Sequence, residues 1–107
     1  MTTKQKVYEV TRVSLAILES HPPKLAITLA GNCNTSGWKN FGIEPRIYVV
    51  PPADGIWDAD LVGDKPGGIV LEVLTPMHAS AIWPTIPAEL KGVRIHAATN
   101  SMTAMLI

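Results

Sequence analysis

Thr28 to Asp60 reads T-L-A-G-N-C-N-T-S-G-W-K-N-F-G-I-E-P-R-I-Y-V-V-P-P-A-D-G-I-W-D-A-D, and its punctuation decides the fold class. Gly31-Asn32-Cys33-Asn34-Thr35-Ser36-Gly37 is a run of small and polar residues. Gly and Asn tolerate positive φ, and Asn, Thr and Ser bond their own backbone, so the run predicts a turn. Arg46-Ile47-Tyr48-Val49-Val50 is β-branched and aromatic, the composition of a half-buried strand. Pro51-Pro52 stops it, because neither residue donates to a ladder. Asp54-Gly55 is a tight-turn dipeptide, and Ile56 to Leu61 resumes as a strand.

Outward from that stretch the same grammar repeats. Lys24 to Gly31 alternates, with Leu25, Ile27 and Leu29 on one face. From Val7 to Glu19 the apolar parity shifts: Tyr8 and Val10 are even, whereas Val13, Leu15 and Ile17 are odd. A period-two strand cannot bury one face through that change, so a bulge or strand switch is expected near Thr11-Arg12, with a helix over Ser14 to Ser20 as the rival. His21-Pro22-Pro23 ends the segment. Asp64-Lys65-Pro66-Gly67-Gly68 predicts a turn. Ile69 to Leu74, apolar except for Glu72, predicts a central strand closed by Pro76. Met77 to Trp83 is a weaker strand, Ala88 to Gly92 a loop or single helical turn, Val93 to Ala97 a strand, and Met102 to Ile107 the last.

Seven or eight short strands separated by Gly, Pro, Asn and Asp clusters, with no amphipathic helix, predict a single all-β domain over 1–107. The expected architecture is an immunoglobulin-like antiparallel β-sandwich. The Cys-Trp-Cys spacing of antibody domains is missing, since Cys33 is the only cysteine and no internal disulfide can form. At 107 residues the chain can bury a core without staples.

Nine basic residues balance nine acidic ones. A net charge of zero gives no basic surface for nucleic acid or for an anionic membrane. No stretch approaches the roughly 18 apolar residues of a membrane span. Met1 to Lys6 is polar, without the apolar block of a signal peptide, which predicts a cytoplasmic protein; a chain already trimmed of its leader would read the same way.

Four aspartates, Asp54, Asp58, Asp60 and Asp64, are the candidate metal ligands. Asp58 and Asp60 lie two apart, so on a strand both carboxylates face one way, and hard oxygen donors suit calcium. Their spacing does not match an EF-hand loop, and solvent-facing edge charges are the alternative. Trp38, Trp57 and Trp83 are the candidate ligand-binding residues, because indole faces make stacking platforms for sugars; core plugs or a dimer edge explain them equally. Cys33 could meet His78 or His96 as nucleophile and base, against the ordinary reading of a small buried thiol. His21, His78 and His96 have no zinc spacing, and Ser36 has no nucleophile-elbow context. Asn34-Thr35-Ser36 is a formal glycosylation acceptor.

Gly31, Thr35-Ser36-Gly37-Trp38, Pro51-Pro52-Ala53-Asp54-Gly55-Ile56 and Pro66-Gly67-Gly68-Ile69-Val70 together resemble small bacterial β-rich proteins. The resemblance implies a bacterial all-β domain and carries no activity, substrate or cofactor with it.

No cofactor motif and no catalytic signature is present. With 47% hydrophobic and only 17% charged residues, the composition favours a non-enzymatic module that binds a protein partner or itself, a homodimer being the simplest form. A carbohydrate- or calcium-assisted ligand-binding sandwich is the alternative, and a small thiol or hydrolytic enzyme the third class.

Overall fold

A computed structural model describes residues 4–106 as eight β-strands with no helix among them. The strands are β1 (Gln5–Lys6), β2 (Glu9–Leu18), β3 (Lys24–Cys33), β4 (Lys39–Pro45), β5 (Ile56–Asp64), β6 (Thr75–Trp83), β7 (Gly92–His96) and β8 (Ser101–Met105). The first three residues of the polar Met1–Lys6 start, and Ile107 of the expected last strand, lie outside the described residues. Within them no helix is long and apolar enough to cross a membrane.

Two sheets enclose one core. In the three-stranded sheet, β3 lies between β2 and β6, all antiparallel. In the five-stranded sheet, β5 pairs with β4 along one edge, and with β7 at Ile56–Asp60 and β1 at Val62–Gly63 along the other; β8 flanks β7. β2 lies beside β8 and β4 beside β6, so the sheets approach each other at both margins.

β3 obeys its alternation: Leu25 and Ile27 are 0% exposed and Leu29 is buried. Their partners in the core come from the other sheet, among them Leu61 of β5 and Ile95 of β7. Burial of each such side chain is worth about 2 kcal/mol, which is why the alternation dictates the facing. β2 is a strand throughout, not a helix, and its register shifts between Val10 and Arg12, leaving Thr11 as the bulged residue. Val10 is thereby buried while Val13 and Leu15 pack on the same core.

Opposite the bulge sits Gly31, where a Cβ would fall 2.3 Å from the Glu9 carbonyl oxygen. Only glycine allows β2 and β3 to approach this closely. The turn expected over Gly31–Gly37 therefore begins later, because β3 continues through Cys33. At Asp54-Gly55 the tight turn forms as read: Gly55 has φ +74° and donates its N–H to the Pro52 carbonyl at 3.1 Å.

Two expected strands are not strands. Arg46–Val50 is a loop, and the strand preceding it is β4. Arg46 N–H still reaches the Asp58 carbonyl at 3.0 Å, but the next ladder position is taken by a side chain, the Tyr48 hydroxyl, which accepts the Asp58 N–H at 3.0 Å. Once that donor is satisfied, nothing draws the backbone of 47–50 onto β5. Ile69–Leu74 was expected as a central strand and instead runs over the surface. It is pinned by Leu71, whose carbonyl accepts Ser36 N–H and whose N–H donates to Ser36 Oγ. Pro76 lies inside β6 rather than closing a strand, which its edge position permits. The antiparallel expectation also fails for one pair: β5 and β7 are parallel, because the chain passes through β6 of the other sheet between them.

Val7–Val10 crosses from the five-stranded sheet to the three-stranded one, and the β7–β8 turn fastens it. Ala98 N–H donates to the Val7 carbonyl at 2.7 Å and Thr99 N–H to that of Tyr8 at 3.0 Å. Asn100 then grips Val10 on both sides: its Oδ1 accepts Val10 N–H at 2.9 Å and its Nδ2 donates to the Val10 carbonyl at 2.8 Å. Asn100→Ala leaves both half-buried backbone groups unpaired. We expect a loss of about 1–3 kcal/mol, read as a lower denaturant midpoint with an unchanged slope.

Candidate functional site

β5 presents its odd residues to the core, with Ala59 and Leu61 fully buried, and its aspartates outward. The expectation that Asp58 and Asp60 share a face therefore holds, and Asp64 joins them. Each is met by its own partners from neighbouring strands. Parallel pairing sets Arg94 beside Asp58 and His96 beside Asp60. Asp58 Oδ1 accepts from His96 Nε2 at 2.7 Å and Arg94 Nη1 at 3.3 Å, while Tyr48 Oη donates to Oδ2 at 2.7 Å. Asp60 takes a two-point contact from Arg46, at 3.0 and 3.4 Å, with Lys6 Nζ at 3.6 Å. Asp64 accepts from Asn40 at 2.8 Å and lies 3.6 Å from Lys4 Nζ. Asp54 serves its turn, accepting Ile56 N–H at 3.0 Å.

The four acids are thus distributed along β5 and the turn before it rather than gathered. Among the described residues no three His, Cys, Asp or Glu side chains cluster as metal ligands. This face is a lattice of alternating charges. Partial burial pushes the Asp58 carboxyl up, but the hydrogen bonds of His96 and Tyr48 and the charges of His96 and Arg94 together hold it below the usual carboxylate range. The Arg46 hydrogen bond does the same for Asp60, against a smaller effect of burial, aided by the charges of Arg46 and Lys6. Tyr48 is moved up, by burial first and then by its bond to Asp58.

The tryptophans are spread over the molecule. Trp38 follows the β3–β4 turn, packs on the core and donates its indole N–H to Thr35 Oγ1 at 3.0 Å. Trp83 ends β6 on its core-facing side. Trp57 opens β5 and meets Tyr48 edge to face, with ring centroids 4.9 Å apart. Among the described residues, none of the three lines the cleft on the outer face of β2, β3 and β6 or the one between Pro52 and Lys91. Cys33 is 1% exposed in the core, and burial pushes its thiol up. His78 lies on the exposed face of β6 and His96 is engaged by Asp58, so neither pairs with the thiol.

The most exposed large apolar side chains fall mainly in two segments. Ile47 is 98% exposed and Val49 102%; Ile69 is 104% exposed, and Val50, Leu71, Val73 and Leu74 are exposed too. The two segments bracket β5, one leaving its start and the other its end. The molecule as a whole is also less compact than its size requires. Its accessible surface is 6721 Å², several hundred Å² above the roughly 5,800 Å² of a compact chain of this mass. Its radius of gyration of 14.6 Å exceeds the roughly 13 Å expected for the length.

Sequence reasoning took both segments for strands and so missed them as surfaces. The signal was present in the flanks: Pro45 and Pro51-Pro52 enclose the first, and Pro66-Gly67-Gly68 and Pro76 enclose the second. Such residues confine a run of β-formers to five or six residues between turn formers, too short to continue the strands on either side within the chain.

No family model matches the chain, and no curated protein or solved structure is significantly similar to it.

Because the Asp58 and Asp60 carboxyls sit lower in the folded than in the unfolded chain, their stabilisation is complete above the ordinary carboxylate value of about 4. It is lost as pH falls through their depressed folded values. Asp58→Asn should be less stable than the parent near neutrality and should lose less on acidification below about pH 4. Denaturant midpoints measured across that range give the comparison. For Cys33, we expect no labelling by a disulfide reagent in the native protein and full labelling once it is unfolded.

Proposed function

We propose that this protein is a non-enzymatic self-association module, in which segments 46–52 and 69–74 supply the contacts between copies. The observation that carries the reading is the mismatch between composition and environment. The chain's Arg46–Val50 and Ile69–Leu74 runs have the residues of half-buried strands, yet their apolar side chains face water.

Exposed aliphatic residues on this scale mark an interaction surface or an aggregation liability. Each of Ile47, Val49, Ile69 and Leu71 offers about 1.5–3 kcal/mol on full burial, against which association and the ordering of the loops must be set. The excess surface is of the order that one partner contributes to a standard interface, about 800 Å². With no net charge, copies meet without long-range repulsion. An extended run of β-formers is also suited to joining another chain by strand addition, where backbone hydrogen bonds supplement the apolar contacts.

The outer face of β5 supports a scaffold role rather than catalysis or calcium binding, since its acids are already neutralised by Arg46, Arg94, Lys4 and Lys6. We read the architecture as an immunoglobulin-like sandwich, on the grounds that two sheets share one core and the chain crosses repeatedly between them; the parallel β5–β7 pair is its departure from that type.

Sedimentation velocity over a wide concentration range tests the reading. We expect the mass to rise above that of one chain as concentration increases, and Val49→Asp with Leu71→Asp to hold the protein at the single-chain mass with its melting behaviour retained. A monomer at every concentration would refute self-association.

A further inference from the structure

The outer face of the three-stranded sheet carries a second feature, independent of the apolar segments. An open groove of about 590 Å³ crosses it, lined by Arg12, Ser14, Thr28, His78 and Ser80, with Phe41 of β4 at its side. Register places these residues in two rows across the strands. Arg12, Ala30 and His78 are cross-strand partners, and so are Ser14, Thr28 and Ser80. Strands lie about 4.8 Å apart, so Arg12 and His78 are anchored roughly 10 Å from each other, with the short Ala30 side chain between them; the hydroxyl row follows about 7 Å along the strands.

We propose that this groove binds a tetrahedral oxyanion, a phosphate or sulfate group. The chemistry of the lining is one-sided. It holds one guanidinium, one imidazole and three hydroxyls, and no carboxylate lines it. The carboxylate nearest to Arg12 in the chain, Glu9, is engaged by Asn32 Nδ2 at 2.8 Å. None of the five polar side chains has a hydrogen-bond or ion-pair partner among the described residues, unlike Arg46 and Arg94 on the opposite sheet. A guanidinium presents a rigid two-point donor to an oxyanion, and hydroxyls and an imidazole N–H complete the shell.

The β2 bulge supplies a second argument. Val10 points into the core, and unbroken alternation from Val10 would aim Arg12 inward and Val13 outward. The extra residue at Thr11 turns Arg12 onto the groove while restoring Val13 to the core. Bulges commonly re-aim a side chain at a functional position. Phe41 offers an apolar flank on which the organic part of a phosphate ester would rest, so the ligand is either the free anion or such an ester.

NMR titration of the labelled protein with inorganic phosphate, sulfate and phenyl phosphate, each against chloride at matched ionic strength, tests the site. We expect saturable shifts confined to the amides of Arg12, Ser14, Thr28, His78 and Ser80. Arg12→Gln, an exposed change that leaves the core untouched, should weaken binding by about tenfold or more, the effect of one charged hydrogen-bonding partner. Tighter binding of phenyl phosphate, reduced in Phe41→Leu, identifies an ester as the ligand; equal affinities identify the free anion. Absence of saturable shifts with all three, or identical shifts in Arg12→Gln, overturns the proposal.

Discussion

The fold depends on how residues 7–10 pass from one sheet to the other without leaving backbone groups unpaired. A crossing strand must abandon one ladder before it joins the next, and here the gap is filled by the β7–β8 turn. Val7 donates to Leu61 and accepts from Ala98, Tyr8 accepts from Thr99, and Val10 is held on both sides by one amide side chain, that of Asn100. An asparagine side chain carries the donor and acceptor of a peptide unit, so it can close a ladder where no backbone is in reach. With the crossing fixed, Val7 and Val10 both enter the core, and β2 starts in the register that forces the bulge at Thr11 and requires glycine at position 31.

The two sheets share that core but treat their outer faces differently. On the five-stranded sheet most charges have an answer nearby: register sets Arg94 beside Asp58, and Arg46 and Lys6 reach Asp60 diagonally. Such exposed pairs add little stability singly, but they leave the Asp58, Asp60 and Asp64 carboxylates already engaged. On the three-stranded sheet Arg12, Ser14, Thr28, His78 and Ser80 have no partner among the described residues. An array of donors held on a rigid sheet is prepared for something external, whereas an array already paired is structural.

Much of this was legible beforehand, and the reasons differ by element. The alternation of Leu25, Ile27 and Leu29 reports burial directly, because one face of a strand must be apolar. The parity change between Val10 and Val13 announced the bulge for the same reason. Asp54-Gly55 formed its turn because only local conformational preference was at stake. Arg46–Val50 and Ile69–Leu74 failed because composition tells what a segment can do in a ladder and not whether an edge is free to take it. At β5 the edge position beyond Arg46 was claimed by Tyr48. The spacing of Asp58 and Asp60 revealed their common face, but not that Arg94, His96 and Arg46 would converge there. Arg12 and His78 likewise come together only through β3, which no linear pattern encodes.

Tyr48 has one more consequence. A ladder position held by backbone is vacated only when a strand peels away, whereas this one is vacated by a single side chain. Freeing the Asp58 N–H costs the two hydrogen bonds of the Tyr48 hydroxyl and its edge-to-face contact with Trp57, and no strand has to leave its sheet. The margin of β5 is thus closed by a plug rather than by a neighbouring strand.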